Sequence, residues 1–157
     1  SNGHSRANVL NTEQLKEEIK SDEGCVYAIY LDHLGKKTFG VGHLVTENDP
    51  EYLLQVGDVI DDDRVDSCFA TDIEITVDEC LALYDDFFDL PEEVQLIIAN
   101  MMFNLGRTNL SKFKDMRRAV DQGDWNAAAD AMIDSKWYMQ VTNRAQRLVD
   151  RMRQVGE

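Results

Sequence analysis

An α+β fold is predicted for this chain, and three features predict it. A short apolar, β-branched and aromatic segment at 25–31 is followed by a glycine-rich return at 38–42. A long apolar pattern with spacings of three and four runs from Pro91 to Leu105, and three further helical patterns follow it. The expected architecture is a small N-terminal hairpin lobe, about 22–75, and a mainly helical C-terminal lobe, about 76–157 together with the N-terminal helix. At 157 residues this is one domain, long enough to withdraw roughly two-thirds of its unfolded surface from water.

Residues 1–9 have no periodicity and are read as a tail, either an appended remnant or the cut edge of a longer precursor, with the domain over 10–157. The first helix is expected from Asn11 to Ile19. Asn11 can cap it, Gln14 stands three residues on, Leu15 and Ile19 share a face, and Gly24 suits its left-handed end. Cys25–Leu31 and Thr38–Gly42 form a hairpin across a turn at His33–Lys37. From Thr46 to Glu74 the chain is acidic and reads as irregular. Helix is expected to return with Thr76 as cap and Glu79 three residues later, carrying Leu81, Tyr84, Phe87 and Phe88. Pro91 opens the strongest helix, which ends before Gly106. Phe113–Val120, Trp125–Met132 and Asn143–Met152 complete the helices. No internal repeat is visible.

Thirty acidic against sixteen basic residues give a formal charge of −14, which repels phosphate backbones and anionic membranes, so neither nucleic acid nor membrane is expected as a partner. No apolar run approaches the roughly 18 residues of a spanning helix. Cys25, Cys68 and Cys80 cannot all pair and lack a C-x-x-C arrangement, so they read as free thiols, mostly core filler. Asp61, Asp63 and Asp66 lack the Gly and Glu of a calcium-binding loop and read as a solvated loop. No metal and no cofactor is expected.

A carboxylate ending a helix (Glu23), another ending the next strand (Asp32) and a hydroxyl on the returning strand (Thr38) converge if the hairpin folds back on itself. Glycoside cleavage needs such a pair, one carboxyl protonated to assist the leaving oxygen and one ionised to manage water or a developing cation. By residue type alone each has a plainer role: a helix-end acid, a turn former bonded to its own loop, a strand residue.

Longer motifs decide between these readings. Asp22-Glu23-Gly24, Ile29-Tyr30-Leu31-Asp32 and Thr38-Phe39-Gly40-Val41-Gly42-His43-Leu44 resemble, in order and without a gap, the active-site signature of the T-even phage lysozyme family. Asn100–Gly106 resembles that family's central helix, and Asp134–Tyr138, Gln140 and Asn143-Arg144-Ala145 resemble its closing motif. The resemblance implies a lysozyme-like two-lobe fold and an endolysin-like muramidase that cuts the β-1,4 bond between N-acetylmuramic acid and N-acetylglucosamine by inversion. Glu23 would be the general acid, Asp32 the base holding the attacking water and Thr38 the hydroxyl orienting it. Leu44, Phe103 and Asn104 would contact the sugars, Arg144 would pair with the catalytic Glu, and His43 would support the site structurally. Trp137 and Tyr138 read as structural.

The resemblance also implies peptidoglycan as partner, a monomer, and action outside the producing cytoplasm, in the periplasm or beyond. The polar N-terminal stretch has no signal-peptide character, so a holin, a virion or a leader outside this sequence stay open as delivery routes. Departures from the family pattern are a shorter region between Thr76 and Asn100, a longer acidic stretch before it, Asn104 where a longer Gln is usual, and Met116 and Ala131 where polar substrate contacts are expected. The alternatives are a non-catalytic wall-binding module of the same fold, or a hydrolase of another acetylated glycan such as chitin.

Overall fold

The computed structural model describes residues 10–157, and the tail expected over 1–9 lies outside them. The α+β expectation holds: one small antiparallel sheet, with helices making up most of the rest. The chain forms two compact units, one of Lys16–Ile75 and one of Thr76–Glu157 with the described residues up to Leu15.

Helix α1 (Thr12–Glu23) begins where the sequence places it, with the Asn11 side chain accepting the Gln14 amide at 3.0 Å. Leu15 and Ile19 are fully buried. Gly24, at φ +78°, ends the helix in a conformation that side-chain-bearing residues seldom adopt. Strands β1 (Val26–Leu31), β2 (Lys37–Gly40) and β3 (His43–Leu44) pair antiparallel in that order. The register sets Tyr30 opposite Thr38, and Thr38 opposite Leu44. Directly paired residues share a sheet face, so these three stand side by side, while Ile29 and Phe39 enter the core of this unit with Ile60, Val65 and Cys68.

The other edge of β1 is covered by residues 57–60, through Ile29 N–H to Asp58 O at 2.9 Å, Gly57 N–H to Ile29 O at 2.8 Å and Ile60 N–H to Tyr27 O at 3.0 Å. Before that segment, a 3-10 turn (Pro50–Leu53) is clamped by Lys37 Nζ, which donates to Tyr52 O at 2.6 Å and Leu54 O at 2.7 Å.

The structure corrects the reading of the acidic stretch. Helix α2 runs continuously from Asp62 to Leu83, so Asp63 and Asp66 belong to a helix and not to a solvated loop, and Thr76 is a buried mid-helix residue and not a cap. The reason lies in Val65, Cys68, Phe69, Ile73, Thr76 and Cys80, all buried at helical spacing beneath a mainly acidic exposed face. Asp62 and Asp63 stand in its first turn, where acidic side chains complement the helix dipole. The helix ends at Leu83, and Phe87 is buried instead by a 3-10 turn, Phe87–Asp89.

In the helical unit, α3 (Glu92–Leu105) follows Pro91 and ends at Gly106. Every residue from Val94 to Met102 is buried, including Gln95 and Asn100. A helix buried all round is a central helix, and its polar residues need internal partners. Gln95 Nε2 donates to Leu90 O at 2.9 Å, and Asn100 Oδ1 accepts from Arg144 Nε at 2.8 Å. Helix α3 is followed by α4 (Arg107–Leu110), α5 (Lys114–Asp121), α6 (Trp125–Ile133), α7 (Lys136–Gln140) and α8 (Thr142–Val155). Ala145, Leu148, Val149 and Met152 of α8 are fully buried on the face that the spacing predicted. The two short helices α4 and α7 were not expected, since four or five residues carry too little periodicity to be seen. Cys25, Cys68 and Cys80 are free thiols, the last two buried. Among the described residues no helix is long and apolar enough to cross a membrane.

Candidate active site

The hairpin unit holds Glu23, Asp32 and Thr38. Glu23 is the last residue of α1, and its carboxyl lies against the backbone of Gly42. A Cβ at Gly42 would stand 2.8 Å from Glu23 Oε1, so an added methyl would displace the carboxyl. Asp32 follows β1 and organises the turn: its Oδ1 accepts the amides of Leu34 at 2.9 Å and Lys36 at 2.8 Å. These bonds, the Lys36 amide foremost, hold the Asp32 carboxyl below its ordinary pKa, so the group is ionised at neutral pH. Among the described residues no donor reaches Oδ2. Asp32 thus does serve as a turn former, and that role leaves one carboxylate oxygen open.

Thr38, on the central strand, is buried, and its Oγ1 donates to Lys36 O at 3.0 Å. With its proton committed, the hydroxyl offers lone pairs to any further partner. Tyr30, opposite Thr38, reports on both acids. Burial first, then the negative charges of Glu23 and Asp32, push its phenol pKa up. One hydroxyl therefore feels both carboxylates. Sequence reasoning passed over Tyr30, although a turn centred on Leu34 implies the pairing of 30 with 38. Leu44, directly opposite Thr38, is partly exposed on the same face.

His43 serves a different arrangement. Its Nδ1 is 2.7 Å from Asp72 Oδ2 and its Nε2 2.9 Å from Asp49 Oδ2. Asp49 is itself fixed by the Thr46 amide at 2.9 Å and stands 3.5 Å from Arg64, which also holds Glu51 in a two-pronged pair at 2.8 and 2.9 Å. Burial opposes charging of the imidazole, but its bonds to Asp72, Cys68 and Asp49 outweigh burial and raise its pKa to about 11. His43 is therefore an imidazolium bridging β3 to α2, in keeping with a structural role.

A group whose folded pKa is raised contributes fully below its unfolded value near 6.5, and its contribution is lost as pH rises through the folded value near 11. His43→Asn is therefore expected to be less stable than wild type by about 1.5–3 kcal/mol at pH 6, the range for hydrogen bonds to charged groups. Thermal melts should show that difference shrinking steadily between pH 7 and 11. A difference that does not vary with pH would show that the imidazolium is not what matters.

The helical unit holds the other candidates. Asn104 accepts Trp137 Nε1–H on its Oδ1 at 2.8 Å, which orients its amide, and Trp137 packs edge-on against Phe113 with centroids 6.2 Å apart. Phe103, its neighbour on α3, is half-buried. Trp137 is buried, and Tyr138 hydrogen-bonds Gln146. Arg144 is buried, with Nε on Asn100. Met116 and Ala131 line a cavity of about 770 Å³ together with Phe113, Trp137, Lys114 and Lys136. The positions where polar contacts were expected thus form part of a mixed polar and apolar recess whose lining also includes Asp115 and Asp134.

A family model described as phage lysozyme matches residues 20–154. The chain is 28% identical over 152 residues to the pre-baseplate central spike protein Gp5 of Enterobacteria phage T4, covering 85% of this chain and 26% of that protein. It is 27% identical over 154 residues to probable T4-type lysozyme 2 of Dictyostelium discoideum, covering 86% of this chain and 91% of that one. It is 28% identical over 137 residues to the peptidoglycan hydrolase gp36 of Pseudomonas phage phiKMV, covering 87% of this chain and 13% of that protein. The chain thus spans nearly the whole of a lysozyme relative but only 26% and 13% of the two phage proteins.

Proposed function

Because this chain belongs to the phage lysozyme family, we propose that it is a muramidase hydrolysing the β-1,4 bond between N-acetylmuramic acid and N-acetylglucosamine in peptidoglycan, by inversion, outside the producing cytoplasm. The observation that carries the proposal is the hairpin geometry: Glu23 ends α1 against Gly42, Asp32 closes the turn after β1 with one carboxylate oxygen open, and Thr38 lies on the returning strand.

Glu23 gives its proton to the glycosidic oxygen as the C1–O bond breaks. Water attacks C1 from the opposite face, its oxygen forming the new bond and its proton passing to Asp32 Oδ2. Thr38 Oγ1, its own proton held by Lys36 O, accepts the second water hydrogen and fixes the angle of attack. Leu44, Phe103 and Asn104 are proposed to bind the sugars, and Arg144 and His43 to support the site. For Asn104 the Trp137 bond supports this, since with its carbonyl occupied the amide N–H groups face outward as donors.

Digestion of purified peptidoglycan tests the reading. Reduction of the products with borohydride is expected to convert muramic acid at the new reducing ends into its alditol, and NMR of the fresh product is expected to show the α anomer first. Glucosamine alditol would assign a different bond, and an initial β anomer would discard inversion. Faster release of ends from chitin oligomers than from peptidoglycan would transfer the activity to another glycan.

A further inference from the structure

The group around His43 also has the composition of a metal site. His43, Cys68 and Asp72 each present a ligand atom, and these atoms lie within 4.8 Å of one another. Asp72 Oδ2 is 2.7 Å from His43 Nδ1 and 4.0 Å from Cys68 Sγ. Cys68 and Asp72 are one turn apart on α2, so a single helix face delivers both, and β3 supplies the histidine. We propose that His43 Nδ1, Cys68 Sγ and Asp72 Oδ2 bind a zinc-type divalent cation, with solvent at the fourth position, and so staple β3 to α2.

Three arguments support this. The first is geometric. Ligands about 2.0–2.3 Å from a tetrahedral zinc stand roughly 3.3–3.8 Å from each other. The Asp72–Cys68 separation is close to that, and the Asp72–His43 separation needs to open by only about 1 Å as a metal ion replaces a proton. The second concerns the outer shell. Asp49 accepts the opposite ring N–H at 2.9 Å while pinned by the Thr46 amide, so a carboxylate orients the imidazole with Nδ1 toward the ligands. That carboxylate–histidine–metal arrangement recurs in zinc sites and strengthens the ring as a ligand.

The third is donor chemistry. A mixed sulfur, nitrogen and oxygen donor set selects zinc or cobalt over calcium or magnesium, which prefer oxygen alone.

Cobalt(II) titration of the metal-free protein, kept reduced with a phosphine, tests the site. An equimolar, zinc-displaceable complex is expected, with a thiolate-to-cobalt charge-transfer band and the visible bands of tetrahedral cobalt. Cys68→Ser is expected to abolish the charge-transfer band, and Cys25→Ser to retain it, with circular dichroism and melts confirming that both are folded. A purely octahedral cobalt spectrum in the wild type would overturn the proposal without recourse to any variant, and so would a band that survives Cys68→Ser.

Discussion

Glu23→Gln is expected to lower peptidoglycan hydrolysis by about 10²–10⁴-fold, the range that a positioned general acid contributes. Gln fills the same space against Gly42, so the amide can occupy the position of the carboxyl without displacing the backbone. What it cannot do is give up a proton as the glycosidic C–O bond breaks. The leaving sugar oxygen would then depart as an alkoxide, and the barrier rises by that difference. Lysis of a wall suspension should therefore vanish while the melting temperature stays close to that of the wild type. Retained lysis in the folded variant would remove Glu23 from the acid role. Lysis and fold lost together would point to Gly42–Glu23 packing instead, and the melt separates these outcomes.

Gly42→Ala is expected to have the second-largest effect, in both stability and activity. The φ of +59° at this position costs a residue with a Cβ about 1–2 kcal/mol. For a domain of this size that corresponds to a fall of about 2–8 °C in melting temperature. The new methyl would also lie 2.8 Å from Glu23 Oε1 and 3.4 Å from Cδ, so the carboxyl must move. A shift of about 1 Å in a reacting group can cost as much as 10²-fold in rate. Gly57→Ala is the control: its φ of +94° imposes comparable backbone strain, and nothing lies within 4 Å of the added methyl. It should lose stability but keep its rate. Equal activity loss in the two variants would mean that strain alone, and not displacement of Glu23, is responsible.

How far the fold could be read depended on how each element announces itself. Asn11, Gly24 and Pro91 mark their boundaries with local chemistry that needs no partner, and the structure places the ends of α1 and the start of α3 where these residues put them. The hairpin followed from its apolar segment and glycine-rich return. Helix α2 was missed in its first half because aspartates are as numerous as apolar residues there, and a stripe as sparse as Val65, Phe69 and Ile73 looks like loop until something is seen to pack on it. The capping-box pattern at Thr76 and Glu79 misled for a related reason. It satisfies amides at a helix start, but inside a continuous helix those amides already have partners.

Sequence by itself determined the hairpin and the longer apolar helices, the family pattern and the identity of the candidate acids, because caps, glycines and periodicity act over a few residues and are written locally. Tertiary structure alone decided which groups share an environment. It showed that Tyr30 feels both Glu23 and Asp32, that Asp32 spends one oxygen on its turn and keeps the other open, and that Gly42 is needed for the space it leaves beside Glu23. It also gathered His43, Asp49, Cys68 and Asp72 into one charged cluster, although they are spread over thirty residues. Those relations depend on the pairing register and on how α2 lies beside β3. Both follow from burial of the apolar core of this unit, a property of distant residues taken together that no local pattern carries.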